Sequence, residues 1–280
     1  MKQNSDVGIL VFAYNRPSHL KRLIISLEDY GIKKVNLFLD GPKNLKDKVC
    51  QKEIMFMLKT NKLINFNIYK KNKNYGLANS LVRGIDKMSK LHKKIIVLED
   101  DCIPRKEFFE FLFKALNIYE KNDQISAICG YQLPQLHKKK NKNIEAILFN
   151  HFIPWGWGVW SKKWREYRNI KTNLTTTTLK KIKASNLKKI TKFLNTSKNS
   201  WTPKYVINNY ILEKKYIFPS KSLIKNIGFD GSGINSKLTN KFNTYYTQSK
   251  KILLKKDISL DNKLSIQQEK ILSKLIKYYY

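Results

Sequence analysis

The chain has 280 residues, 42% of them hydrophobic, which is enough apolar material for one large or two small domains with a substantial core. No apolar run reaches the length of a membrane-spanning helix, the apolar segment near the N-terminus is too short for a secretion signal, and the three cysteines Cys50, Cys102 and Cys129 lack CxxC spacing. These features place the protein in the cytoplasm with reduced thiols, while the net charge of +34 points to a polyanion partner.

All but six of the 55 basic residues are lysine. Base readers rely on arginine forks, so no nucleic acid is expected as partner, and an anionic membrane surface suits the composition better.

Residues 7–13 form an apolar run that ends in Tyr14, Asn15, Arg16 and Pro17. Leu20, Leu23, Ile24 and Leu27 then recur at helical spacing, with Ser18 as the N-cap, so 18–30 is expected to be a helix. A second run, 34–39, stops at the turn residues Asp40, Gly41 and Pro42, and 47–60 reads as the next helix. A short strand over 65–70 is followed by Asn74-Tyr75-Gly76-Leu77 and a helix over 78–89. Strand alternating with helix in this way predicts an α/β fold with a mostly parallel sheet flanked by helices. No Gly-rich dinucleotide or P-loop signature follows the first strand, which disfavours those folds.

Lys93 and Lys94 lead into Ile95, Ile96, Val97 and Leu98, and this run stops at Glu99, Asp100 and Asp101. Such a run suits a strand buried on both faces, and its acids then fall at the carboxyl end, where ligands of open α/β sheets bind. Three carboxylates crowded together repel one another unless a cation offsets their charge. The cluster is therefore either a metal site or a solvated acidic turn.

Further on, 106–121 has the pattern of an aromatic amphipathic helix, 125–129 that of a strand, and 137–143 that of a basic loop. Trp155, Trp157 and Trp160 follow, separated by Gly156 and Gly158, with Trp164 close behind. Rings this dense are either core or a platform for the apolar faces of sugars, and the glycines allow close backbone approach. A Thr-, Lys- and Asn-rich insertion over 171–199 precedes helical spacing at 205–214, a short strand at 216–218 and a Gly-rich loop at 230–233. From residue 249 onward, isoleucines and leucines alternate with lysines as in basic amphipathic helices, which lie either in a membrane interface or back on the domain.

Taken in order, LVFAYNRP, FLDGP, NYGLANS, IVLEDDCIP, PWGWGVW, NSW and IFPSKSLIKNIGFDGSG resemble the GT-A nucleotide-sugar glycosyltransferases. The likeness is to bacterial family-2-like enzymes and more distantly to the N-acetylglucosaminyltransferase I group. It implies a GT-A fold, a Rossmann-like nucleotide-diphospho-sugar transferase sheet, over 1–240. Residues 1–130 would form the nucleotide-sugar half and 131–240 the acceptor half, with 241–280 as a basic helical tail. By the same resemblance Glu99, Asp100 and Asp101 match the DXD element, with Asp101 binding Mn2+ or Mg2+ and Glu99 and Asp100 positioning the donor. Asp40 would contact the base, Arg16 and the Tyr14-Asn15 backbone would lie along the nucleotide, and Asn74 would also be on the donor side. Trp155, Gly156, Trp157, Gly158 and Trp201 would line the acceptor side.

The chain departs from the family pattern twice. Thr202 stands where many relatives carry the acid that serves as base, and a neutral hydroxyl does not do that work at pH 7. Asn235 stands where many carry a metal-binding His, and its amide oxygen can still bind a hard cation. Asp230 and Glu166 are the base candidates, with substrate phosphate or a slow enzyme as the other readings. The implied activity is metal-dependent and inverting transfer from a nucleotide sugar, UDP-sugar favoured, to a glycan or lipid-linked acceptor. Lipopolysaccharide and capsule are the acceptor classes, and the inner membrane face is the location. The rivals are a nucleotidyltransferase, a non-catalytic nucleotide-sugar binder, and a basic nucleic-acid-binding protein.

Overall fold

A computed structural model of the chain describes residues 6–137, 143–169, 201–232, 238–244 and 251–275. The expected insertion, most of the basic loop and Asn235 lie outside the described residues.

Strands β1 (Val7–Ala13), β2 (Lys34–Leu39), β3 (Asn65–Lys70) and β4 (Lys94–Glu99) run parallel, with β1 between β2 and β4. Every residue of β1 is buried, as are the first five of β4, the pattern of strands covered on both faces. Helices α1 (Pro17–Asp29), α2 (Leu45–Thr60) and α3 (Leu77–Met88) make the crossovers. α1 buries the stripe its spacing predicts, Leu20, Leu23, Ile24 and Leu27.

The chain moves outward from β1 to β2 to β3 and then returns to β4 on the other side of β1. The carboxyl ends of β1 and β4 therefore flank the point where strand order reverses, and a crevice opens at such points.

The sheet continues past β4. β8 (Trp157–Trp160) lies antiparallel between β4 and β6 (Ile125–Cys129), and β9 (Lys215–Pro219) runs parallel to β6. β7 (Ile144–Phe149) is antiparallel to β9, and β11 (Ile252–Leu253) closes a nine-stranded sheet. Apart from this sheet, β5 (Cys102–Pro104) pairs antiparallel with β10 (Ile224–Asn226), so the chain after the acids is tied to the segment leading to Asp230. α4 (Phe108–Ile118) covers β6 and β8, while α5 (Ser161–Asn169) packs on β8 and on α6 (Thr202–Ile211).

The Trp-Gly segment forms the central strand β8. The tail is no separate appendage, because β11 pairs with β7, Leu148 bridges to Leu260, and α7 (Asn262–Leu275) packs on β7. Leu264, Ile271 and Leu272 of α7 pack against the core, which uses the apolar residues that the membrane reading of the tail required. No described helix is long and apolar enough to cross a membrane.

Candidate active site

The site is assembled around the end of β1. The carbonyl of Phe12 accepts the amide of Asp100, and that of Ala13 accepts the amide of Asp40, so the ends of β4 and β2 are pinned on either side of β1. Arg16, three residues beyond β1, donates through one guanidinium nitrogen to Asp100 Oδ1 and, at 2.8 Å, to Asp101 Oδ2. The cation that the crowded carboxylates need is thus supplied within the chain. Burial pushes Glu99 up to about 8, with repulsion from Asp101 and Asp100 adding to the shift. Burial also raises Asp100, to about 6, against the pull of Arg16.

The β5–β10 ribbon brings a second segment over these acids. Ile227 donates its amide to the carbonyl of Asp101 at 2.9 Å. A Cβ on Gly228 would lie 2.1 Å from Asp101 Oδ2, so only glycine fits there without displacing the carboxylate. Two residues on, Asp230 Oδ1 accepts from the amide and hydroxyl of Ser232, and Oδ2 lies 3.1 Å from His19 Nε2. Burial opposes ionisation of Asp230, but the Ser232 donors and His19 outweigh it and hold its pKa below the usual value.

On the other side of β1, both loops are braced by α2. Its buried Asp47 accepts from the Tyr14 hydroxyl, from Asn15 Nδ2 at 2.7 Å and from the Lys43 amide at 2.9 Å. Gln51 Nε2 donates to the carbonyls of Asp40 and Tyr14. Burial alone would raise the Asp47 pKa, and the Tyr14 and Asn15 donors reverse the sign. Asp40 accepts from the amides of Gly41, Tyr75 and Gly76, and Asn74 Nδ2 donates to the carbonyl of Gly41. These two expected donor contacts are spent on stapling the loop after β3 to the loop after β2.

The stapled loops frame a cleft lined by Phe38, Asp40, Tyr69, Tyr75, Arg83 and Lys87. Tyr69 stacks on Phe38 at 4.7 Å, Lys87 sits 4.2 Å over Tyr69, and the Arg83 guanidinium lies 4.9 Å over Tyr75. A flat, electron-rich ligand with an anionic neighbour suits such a lining.

Several expected site residues are elsewhere. Glu166 is displaced for a topological reason. β8 runs antiparallel to β4, so α5 starts beside the amino end of β4, where Ser161 donates its amide to the carbonyl of Lys93. Glu166 is therefore at the opposite end of β4 from the acids, exposed and 4.0 Å from Lys162, and it is withdrawn as a base.

Trp157 is fully buried and stacks on Trp201 at 5.4 Å, with Phe152, Trp164 and Tyr205 around it. Both rings are core and not a sugar platform. Gly156 and Gly158 make room for Ile224 and for Leu112 of α4, not for a ligand. Trp155 is buried as well, packed edge-on against Tyr131, Phe229 and Phe242. Thr202 is buried at the first turn of α6.

The structure thus groups Arg16, Asp100 and Asp101 with residues the sequence did not single out: His19, Asp47, Gln51 and Gly228. Asp47 was hidden among lysines in a helical stretch, although Asn44 three residues earlier marks a helix start, and its side chain does cap the Asp47 amide.

Oxygen donors such as Asp101, whose side chain is 14% exposed, suit Mg2+ or Mn2+. Among the described residues, no three His, Cys, Asp or Glu side chains converge on one point. Asp101, paired with Arg16, could give such an ion one oxygen, and ligand oxygens would have to supply most of its coordination.

No family model and no curated protein matches the chain. Among solved structures, a mannosyltransferase from Pyrobaculum calidifontis in complex with GDP-Man and Mn2+ is similar at TM-score 0.43 and 8% identity, over 75% of this chain and 70% of that one. Mouse xyloside xylosyltransferase 1 gives 0.40 and 9%, over 75% and 84%, and protein A197 from STIV gives 0.38 and 14%, over 78% and 83%. Scores this low carry no argument, and the functional reading rests on the residues of this chain.

Proposed function

We propose that the protein is a nucleotide-sugar-dependent glycosyltransferase that moves a sugar to a hydroxyl of a surface glycan or lipid-linked acceptor at the inner membrane face. The observation that carries this reading is adjacency. A cleft of aromatic and cationic side chains at the ends of β2 and β3 lies one strand away from a cluster of Arg16, Asp100 and Asp101 at the ends of β1 and β4. A nucleoside diphosphate has the same two parts, a flat base and a compact anion. The ordered sequence motifs support the same assignment.

In this reading Tyr75, backed by Arg83, and Tyr69, under Lys87, hold the base, with a uracil nucleotide favoured. Arg16 presents its N–H groups to the diphosphate, exchanging part of its pairing with the acids for phosphate oxygens. Asp101 would hold a divalent ion, which would supply charge stabilisation for the departing nucleoside diphosphate. Asp230 takes the proton of the acceptor hydroxyl as sugar transfer inverts the anomeric centre, and His19 and Ser232 orient its carboxylate.

A thermal-shift screen of UDP, GDP, CMP and dTDP sugars, with and without Mn2+, tests the reading. One nucleotide class should raise the melting temperature in a metal-dependent way, and Asp230→Asn should keep that shift while losing transfer. If no nucleotide sugar shifts the native protein with or without metal, the assignment is wrong.

A further inference from the structure

In the described part of the tail, Leu264, Ile271 and Leu272 pack on the core, whereas α2 turns an apolar stripe to solvent. Among the described residues, five large apolar side chains are more than 60% exposed, and three of them, Leu45 at 76%, Val49 at 66% and Phe56 at 71%, lie on this helix. Successive helical residues turn by about 100°, so these three fall within a sector of about 40°. The buried residues Asp47, Gln51, Ile54 and Leu58 occupy the opposite side. Exposed Lys48, Lys52 and Lys59 line one flank of the outer stripe, and exposed Glu53 and Lys46 the other. The helix thus turns a mixed face to the core and an apolar stripe, flanked mainly by lysines, to solvent.

We propose that the outer face of α2 docks on an anionic lipid surface, with Leu45, Val49 and Phe56 in the headgroup and acyl boundary and the lysines at the headgroups. Charge complementarity selects this occupant. A second copy would bring two lysine-bordered stripes together in a chain of net charge +34, and three side chains provide too little area for a stable dimer. A nucleic-acid backbone would use the lysines and leave the apolar stripe in water.

The placement also has a consequence. α2 starts at the Asn44 cap, just after Asp40 and Gly41, and its inner face holds Asp47 and Gln51. Docking of the outer face therefore brings the mouth of the candidate site beside the membrane. The proposal does not depend on sugar transfer, since lipid binding is measured without a donor.

The test is cosedimentation of the full chain with vesicles of phosphatidylcholine, alone or mixed with phosphatidylglycerol. The native protein should bind only the mixed vesicles. The triple variant Leu45→Ser, Val49→Ser, Phe56→Ser should bind them at least about tenfold less. Lys48→Ser, Lys52→Ser, Lys59→Ser should lose a similar factor, whereas removing exposed Lys263, Lys270 and Lys274 of α7 should cost less than about twofold. All of the substituted side chains are exposed, and an unchanged circular dichroism spectrum and melting temperature confirm folding. Equal binding by the native protein and the apolar triple variant would overturn the proposal. So would a native dimer that the apolar triple variant converts to monomer, or tighter binding to duplex DNA than to vesicles that this variant leaves unchanged.

Discussion

Arg16 stands where crowded carboxylates need positive charge, and the residues around it are held by contacts that leave little freedom. Gly228 is the tightest case, because a methyl group there meets Asp101 Oδ2. Gly228→Ala should cost about 1–3 kcal/mol of stability through overpacking and should lower transfer about a hundredfold by moving a reacting group's support. Urea unfolding and a transfer assay measure the two effects separately. Asp47 gives a pH signature. Its donors hold the folded pKa below that of an ordinary aspartate, so the stability it contributes is present above the ordinary value and is lost as pH falls through the folded pKa. The stability gap between native protein and Asp47→Asn should be largest near neutral pH and should shrink in acid, as read by urea denaturation across that range. A gap that widens in acid would mean that Tyr14 and Asn15 do not stabilise the ionised form.

At the scale of elements, β8 decides which aromatic residues can meet a ligand. Trp157 lies within the sheet, stacked on Trp201 and crossed by Phe152. Trp157→Ala should therefore cost about 3–5 kcal/mol and leave nucleotide affinity in the residual folded protein unchanged. Normal stability with lost acceptor binding would instead return Trp157 to the site. Because β8 delivers α5 to the amino end of β4, Glu166→Gln should leave transfer unaltered, and a large loss would contradict the topology. The long apolar runs of β1, β2 and β4 and the helical stripe of α1 were legible because period and burial agree there. β5 and β10, three residues each, are too short to show a period, and β8 alternates glycine with tryptophan for packing reasons that only its neighbours explain.

For the whole molecule, the order of strands turns separate motifs into one site. The carboxyl ends of β1, β2 and β4 meet because the chain reverses its order at β1; the alternation of strand and helix implied the parallel sheet, but not this order. Asp40 and Asn74 showed a different limit. Their positions were read correctly as loop ends, but their side chains are engaged with backbone groups, a contact that needs both loops in place. The excess of lysine gave no location, and the apolar stripe of α2 was masked in the sequence by Ile54 and Leu58 on the opposite face of the same helix.

The central claim is that cleft and acid cluster bind one nucleoside diphosphate. Calorimetric titration of UDP and UMP in Mn2+ into native protein, Asp101→Asn and Tyr75→Ala tests it most directly. Asp101→Asn should weaken UDP at least about tenfold, or about 1.4 kcal/mol, and UMP much less, while Tyr75→Ala weakens both alike. Unchanged UDP affinity in Asp101→Asn would contradict the account.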